Sequence, residues 1–322
     1  MSADAAVEAV GTFMGIPASR DLSASKAAVL GIPFDCGFHP TRIGSRLGPN
    51  SIREHSGLVR RYEPPLRDSD PVARLNLVDY GNVRLRSGYV AEAFENIEAA
   101  VAEIVGAGAV PVTMGGDGAV TLPQLRALHR RHPDLVVLHI DAHTDTYPDD
   151  GESRFTNATT FTRAAEEAVV DPRNSIHLGA RGAVASPGLF EYTRNWGYEL
   201  IPGIELDNLG IPAVLAHICK RLVGRPVYLC FDMDVFDPSV APGVCTPSWG
   251  GLSAKEGLAI LDGLAELDFV AFDVNTVSPP HDSAGMTAFL AGTVMHKCLQ
   301  LACAGLERGR SKPRADQPVP TA

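Results

Sequence analysis

Val136-Val137-Leu138-His139-Ile140-Asp141-Ala142-His143-Thr144-Asp145 is the stretch on which the reading of this 322-residue chain turns. Its first half is a β-branched and aliphatic run of the kind buried on both faces of a parallel sheet. It stops at three metal-type side chains, Asp141, His143 and Asp145, which places them at the C-terminal end of a strand. A second run of the same design, Val227-Tyr228-Leu229-Cys230-Phe231, ends in Asp232-Met233-Asp234 and continues to Pro238. In open α/β sheets the ligand crevice lies outside the carboxyl ends of the strands, so two strands that finish in carboxylates are expected to aim them into one pocket. Five candidates converge there: Asp141, His143, Asp145, Asp232 and Asp234.

Coordination chemistry explains the spacing. Alternate side chains of a strand share a face, so positions 141, 143 and 145 can address one site, and positions 232 and 234 can address it from the neighbouring strand. Carboxylate oxygen and imidazole nitrogen suit divalent ions such as Mn²⁺ or Ni²⁺, and two ions ~3.5–4 Å apart need shared carboxylates to offset their repulsion. A water between two such ions loses a proton readily and becomes a nucleophile near neutral pH. One such aspartate alone reads as a helix N-cap or loop residue, and one such histidine as a satisfied core side chain. Five at matched spacing on two strand ends read as metal ligands.

Outward from this centre, apolar strand-like runs at 27–33, 109–114, 175–178, 198–201 and 269–274 alternate with helical patterns. Val90, Phe94, Ile97, Val101 and Ile104 fall on one helical face, and Ser253 with Glu256 has the form of a capping box. The alternation predicts a single α/β domain in three layers, α/β/α, around a mostly parallel sheet. Its bounds are read as 27–307, after an alanine- and serine-rich arm over 1–26 that packs on the domain or a neighbour rather than in the core. The charged, proline-bearing tail over 308–322 reads as disordered. Hydrophobic residues make up 45% of the chain, enough for one large core. The net charge of −10 argues against a nucleic-acid or anionic-membrane surface and leaves small-molecule chemistry. The six cysteines make no CxxC pair and read as reduced core thiols. With no signal peptide or apolar run near 18 residues evident, a cytoplasmic protein is expected.

These residues resemble the ureohydrolase family, the arginase and agmatinase relatives, and the agmatinase-like branch looks closer than arginase itself. The resemblance runs from about Ala27 to Leu306. It is carried by Gly48-Pro49-Asn50-Ser51-Ile52-Arg53, Gly115-Gly116-Asp117, Asp141-Ala142-His143-Thr144-Asp145, the stretch from Asp232 to Pro238, Ala241-Pro242-Gly243 and Gly250-Gly251-Leu252. It implies an arginase-like three-layer fold, a binuclear manganese or nickel site, and hydrolysis of a guanidino compound to urea and an amine.

Three departures stand beside it. The family's Gly-Gly-Asp turn continues with a metal-binding histidine where this chain has Gly118. The family's proton-shuttling histidine aligns with Asn157, which cannot act as a general acid near neutral pH. The glutamate that pairs with the substrate guanidinium aligns with Thr276. His281, a few residues beyond, is a candidate substitute imidazole, although a loop histidine is the plainer reading. The losses touch metal binding, proton transfer and substrate anchoring at once. They favour a subunit with a degenerate site and partial metal occupancy, supporting a catalytic paralogue in a hetero-oligomer of trimer or hexamer type. Metformin hydrolase, with nickel and a biguanide, is the heteromeric member the resemblance most suggests. Two alternatives stay open: a self-sufficient binuclear amidinohydrolase with an atypical substrate, and a non-catalytic metabolite-binding protein.

Overall fold

The computed structural model describes residues 11–309 apart from Phe38, Pro40, Pro65, Ser87, Asp150 and Glu152. The expected disordered tail thus lies almost wholly outside the described residues. Eight strands are defined: β1 Ala27–Gly31, β2 Val78–Asn82, β3 Val110–Met114, β4 Val136–Ile140, β5 Ile176–Leu178, β6 Glu199–Ile201, β7 Pro226–Asp232 and β8 Asp268–Asn275. They form one sheet in the order β2-β1-β3-β8-β7-β4-β5-β6, and every neighbouring pair is parallel.

Alternation along the strands splits the core in two. Val29, Val112, Leu138, Ile140, Leu229 and Phe231 face one apolar layer, shared with Val294, Met295 and Cys298 of the helix Met286–Glu307. Ala28, Leu30, Val137, Tyr228 and Cys230 face the other, shared with Phe94, Ile97, Val101 and Ile104 of the helix Val90–Gly106. Helices therefore cover both faces of a sheet whose strands are apolar on both sides, which is the three-layer α/β/α arrangement. The Ser253 and Glu256 pair closes a reciprocal capping box at the start of Ala254–Asp262. The helix Met286–Glu307 is long and apolar enough by composition to cross a membrane, but 78% of that window is buried inside the fold. Among the described residues the six cysteines form no disulfide.

Two features differ from the sequence reading. β2 is a strand that Val78-Asp79-Tyr80-Gly81-Asn82 does not announce, because only two of its five residues are apolar. Within the 1–26 arm, Phe13, Met14 and Ile16 are buried members of the core, where a peripheral segment is expected. Gly11, Gly15 and Pro17 interrupt any periodicity that would betray them. The Phe13 amide donates to Asp79 Oδ2 at 2.9 Å. The same carboxylate takes both prongs of the Arg53 guanidinium, Nε at 2.7 Å and Nη2 at 2.8 Å, with both side chains buried. One buried ion pair thus joins β2 to the helix Gly48–His55 and fixes the start of the described chain.

Candidate metal centre

β4 and β7 lie side by side in register, Ile140 opposite Phe231, so Asp141 and Asp232 leave the sheet as neighbours. Asp234 follows on a short 3₁₀ turn, Met233–Val235, whose amide at Asp234 donates to Asp232 Oδ1 at 2.7 Å. The His143 amide folds back onto Asp141 Oδ1 at 2.7 Å. The structure brings four of the five expected residues, joined by His139, into two groups of potential ligands: His139, Asp141 and Asp145, and Asp141, His143 and Asp234, with ligand atoms within 4.8 Å of one another in each. Asp141 is common to both. His143 Nδ1 stands 3.2 Å from Asp141 Oδ1 and 3.2 Å from Asp234 Oδ2. Asp232 stands beside them, held by the Asp234 amide and the Thr276 hydroxyl.

The carboxylates crowd one another in a dry setting. Burial first, and then neighbouring anions, push Asp145 and Asp232 well above the ordinary carboxylate range and Asp234 to about 6. Burial opposes ionisation of Asp141 too, but His139 and His143 outweigh it and hold that carboxyl well below its usual value. Burial likewise opposes charge on His143, and Asp234 and Asp141 overcome it. The Asp145 carboxylate is buried and receives no hydrogen bond among the described residues. Its backbone is left-handed, φ 47°, which turns it back towards the pocket from the loop after β4. Four carboxylates that two divalent ions would neutralise, with imidazole beside them, fit Mn²⁺ or Ni²⁺.

The three departures surround this centre. A Cβ on Gly118 would meet Asp145 Oδ2 at 2.9 Å and Asn157 Cβ at 3.6 Å, so position 118 faces the Asp145 side of the site. Asn157 accepts a long contact, 3.6 Å, from the Cys36 thiol. Thr276 directly follows β8 in a left-handed conformation, φ 67°, rare for a β-branched residue. Its amide donates to Gly116 O at 2.7 Å and its hydroxyl to Asp232 Oδ1. Gly116 is required by close approach, since a Cβ there would sit 1.8 Å from Phe34 O. Asp117 caps the turn that carries Gly118 and accepts the Cys36 amide at 2.5 Å, and burial raises its carboxyl to about 6. His281 lies in the short turn Pro279–His281 and joins neither group of potential ligands.

Several supporting residues escape a reading by motif. His139 Nε2 is 2.8 Å from Asp141 Oδ2, and its Nδ1 is 2.8 Å from His177 Nδ1. The signal was available: position 139 is two before Asp141 and so on the same face of β4. Asp273 accepts from Thr113, Thr121, Tyr228 and Asn275 beneath the site, a convergence of three strands and a helix that no spacing displays. Arg181 donates to the carbonyls of Asp234 at 2.9 Å and Ser248 at 2.7 Å, pinning the loop after β7.

Comparison with known proteins agrees with the geometry. The Arginase family model matches residues 25–300. Guanidinopropionase from Pseudomonas aeruginosa is 38% identical over 292 residues, 90% of this chain and 91% of that protein. Guanidinobutyrase from the same organism is 33% identical over 293 residues, again 90% and 91%. The structure of proclavaminate amidino hydrolase from Streptomyces clavuligerus superposes with a TM-score of 0.88 at 32% identity, covering 92% of this chain and 98% of that one.

Proposed function

Since the chain belongs to the arginase family, we propose that it is a metal-dependent amidinohydrolase that cleaves a C–N bond of a guanidino compound with an atypical binding mode. The observation that carries this reading is the pair of potential ligand groups that share Asp141 at the ends of β4 and β7. Asp141, His143, Asp145, Asp232 and Asp234 are proposed to hold two divalent ions, manganese or nickel. When bound, such a pair supplies a water that ionises near neutral pH and polarises the carbon it attacks.

The chain's own residues then define what kind of substrate fits. Thr276 stands where the family's glutamate would meet a guanidinium, and its hydroxyl is already committed to Asp232. The anchor worth ~1.5–3 kcal/mol in a charge-assisted hydrogen bond is therefore absent. Asn157 stands where a histidine would protonate the leaving amine, and an amide can orient that amine but not protonate it, at a cost of ~10²–10⁴-fold in rate. A neutral or bulky amidine whose leaving group needs little protonation suits this pocket better than arginine. The names of the relatives add guanidino acids as candidates.

A second reading is favoured by the same two residues together with Gly118. In it the chain supports a catalytic paralogue in a hetero-oligomer, of the kind that hydrolyses a biguanide with nickel. Urea release from guanidinopropionate, guanidinobutyrate and a biguanide, measured on the purified chain loaded with Mn²⁺ or Ni²⁺, separates the two. Turnover by the chain alone establishes the first reading. Turnover only after co-expression with a paralogous chain establishes the second, and none in either setting contradicts both.

A further inference from the structure

We propose that His139 is the nitrogen ligand of the ion on the Asp145 side, supplying the imidazole that position 118 does not. The inference rests on the two-ion reading above. Asp141 presents one oxygen to each of two imidazoles: Oδ1 to His143 Nδ1 at 3.2 Å and Oδ2 to His139 Nε2 at 2.8 Å. His139, Asp141 and Asp145 have their ligand atoms within 4.8 Å of one another, as His143 has with Asp141 and Asp234, so the two halves are built alike. All three residues of the first half are buried, His139 and Asp141 each at 1% exposure. Without His139 that half offers only carboxylate oxygen, because Gly118 contributes no side chain.

The surroundings of His139 also suit a ligand. A metal-bound histidine has its other ring nitrogen held by a partner that fixes the ring and its tautomer. His177 Nδ1 fills that place 2.8 Å from His139 Nδ1. His177 Nε2 is buried without a hydrogen-bond partner, and its ring packs edge-to-face against Phe161 and Tyr198, centroids 5.0 and 4.6 Å away. Two ring protons shared between these imidazoles can be placed in two ways, and both are accommodated. With no ion, His139 Nε2–H donates to Asp141, His177 Nδ1–H donates to His139 Nδ1, and His177 Nε2 is bare. With an ion, the His139 Nε2 lone pair is free to bind it, His139 Nδ1–H donates to His177 Nδ1, and His177 Nε2–H is enclosed by aromatic rings that tolerate it. The pair as a whole gains and loses no proton.

The test is ¹H NMR of the full chain loaded with Co²⁺, counting the exchangeable ring N–H signals shifted far outside the normal range by the paramagnetic ion. Each bound histidine contributes one, so two are expected, one from His143 and one from His139. His139→Gln should remove one signal and weaken binding of the second Co²⁺ by about tenfold or more, leaving the first ion in place. His177→Phe keeps the packing and should leave two ions bound while the His139 signal exchanges with solvent faster. A single shifted signal that survives His139→Gln and vanishes in His143→Gln overturns the inference and leaves His139 as a hydrogen-bond donor to Asp141. The complete absence of shifted signals would instead overturn the two-ion reading on which it rests.

Discussion

Asp145 Oδ2 lies 2.9 Å from the point where a side chain on Gly118 would begin. Gly118 is absent from the positive-φ residues, so a larger side chain there meets no backbone strain, only the Asp145 carboxylate, which must move aside slightly. Gly118→His is therefore expected to tighten the ion on the Asp145 side by about tenfold or more while leaving the His143 side unchanged. Calorimetric titration of the metal-free chain with Mn²⁺ or Ni²⁺ resolves the two binding steps. The same variant should gain little turnover, since Asn157 and Thr276 remain, and a large gain would remove the role given to them.

Thr276 carries a strained backbone and spends its hydroxyl on Asp232. Thr276→Val keeps the shape and the left-handed conformation but removes the donor, leaving a buried carboxylate with one partner fewer. A loss of ~1–3 kcal/mol is expected in urea unfolding of the metal-free chain. An unchanged midpoint would show that the contact contributes nothing.

Arg53 and Asp79 are both buried and joined by two hydrogen bonds, with the Phe13 amide on the same carboxylate. Arg53→Ala leaves Asp79 an unpaired buried anion and is expected to cost ~3–5 kcal/mol. Arg53→Lys should not recover it, because an ammonium cannot reproduce the two-pronged geometry. Thermal unfolding of the three proteins decides this, and a Lys variant as stable as the parent would refute the geometric account.

Asp237 is placed to report on acid stability independently of the metal ligands. The Ser239 hydroxyl and amide, followed by the Gly251 and Gly250 amides, pull its carboxyl down to about 2 from the ordinary 3.8. A depressed carboxyl stabilises the fold fully above its unfolded value and loses that contribution as pH falls through its folded value. The stability gap between the parent and Asp237→Asn should thus be constant above about pH 5 and close between about pH 4 and pH 2. Denaturant unfolding across that range checks it, and a gap that widens on acidification would contradict the assignment.

The sheet was readable because its strands are apolar on both faces and end where chemistry begins: Val136 to Ile140 and Val227 to Phe231 became β4 and β7, adjacent and in register. β2 was not readable, since Asp79 and Asn82 lie in the strand to meet Arg53, a partner the local pattern does not contain. The five acidic and imidazole candidates came together for the same reason the strands did, by position at a strand end. His139 and His177 were hidden because they sit on different strands, β4 and β5, and acquire a role only when Ile140 pairs with Leu178 and brings the rings together. Phe13 and Ile16 became core in a segment tied to distant residues, Phe13 to Asp79 and Met14 to Ser56, which a broken periodicity cannot reveal.

Asp141 is common to both groups of potential metal ligands, and counting ions per chain by native mass spectrometry after Ni²⁺ or Mn²⁺ loading tests that sharing most directly. The parent chain should carry two ions, the one on the His143 side held more tightly. Asp145→Ala should carry one, His143→Ala should lose the tighter one, and Asp141→Ala should carry none. An Asp141→Ala chain that is folded by circular dichroism and still retains an ion would contradict the claim.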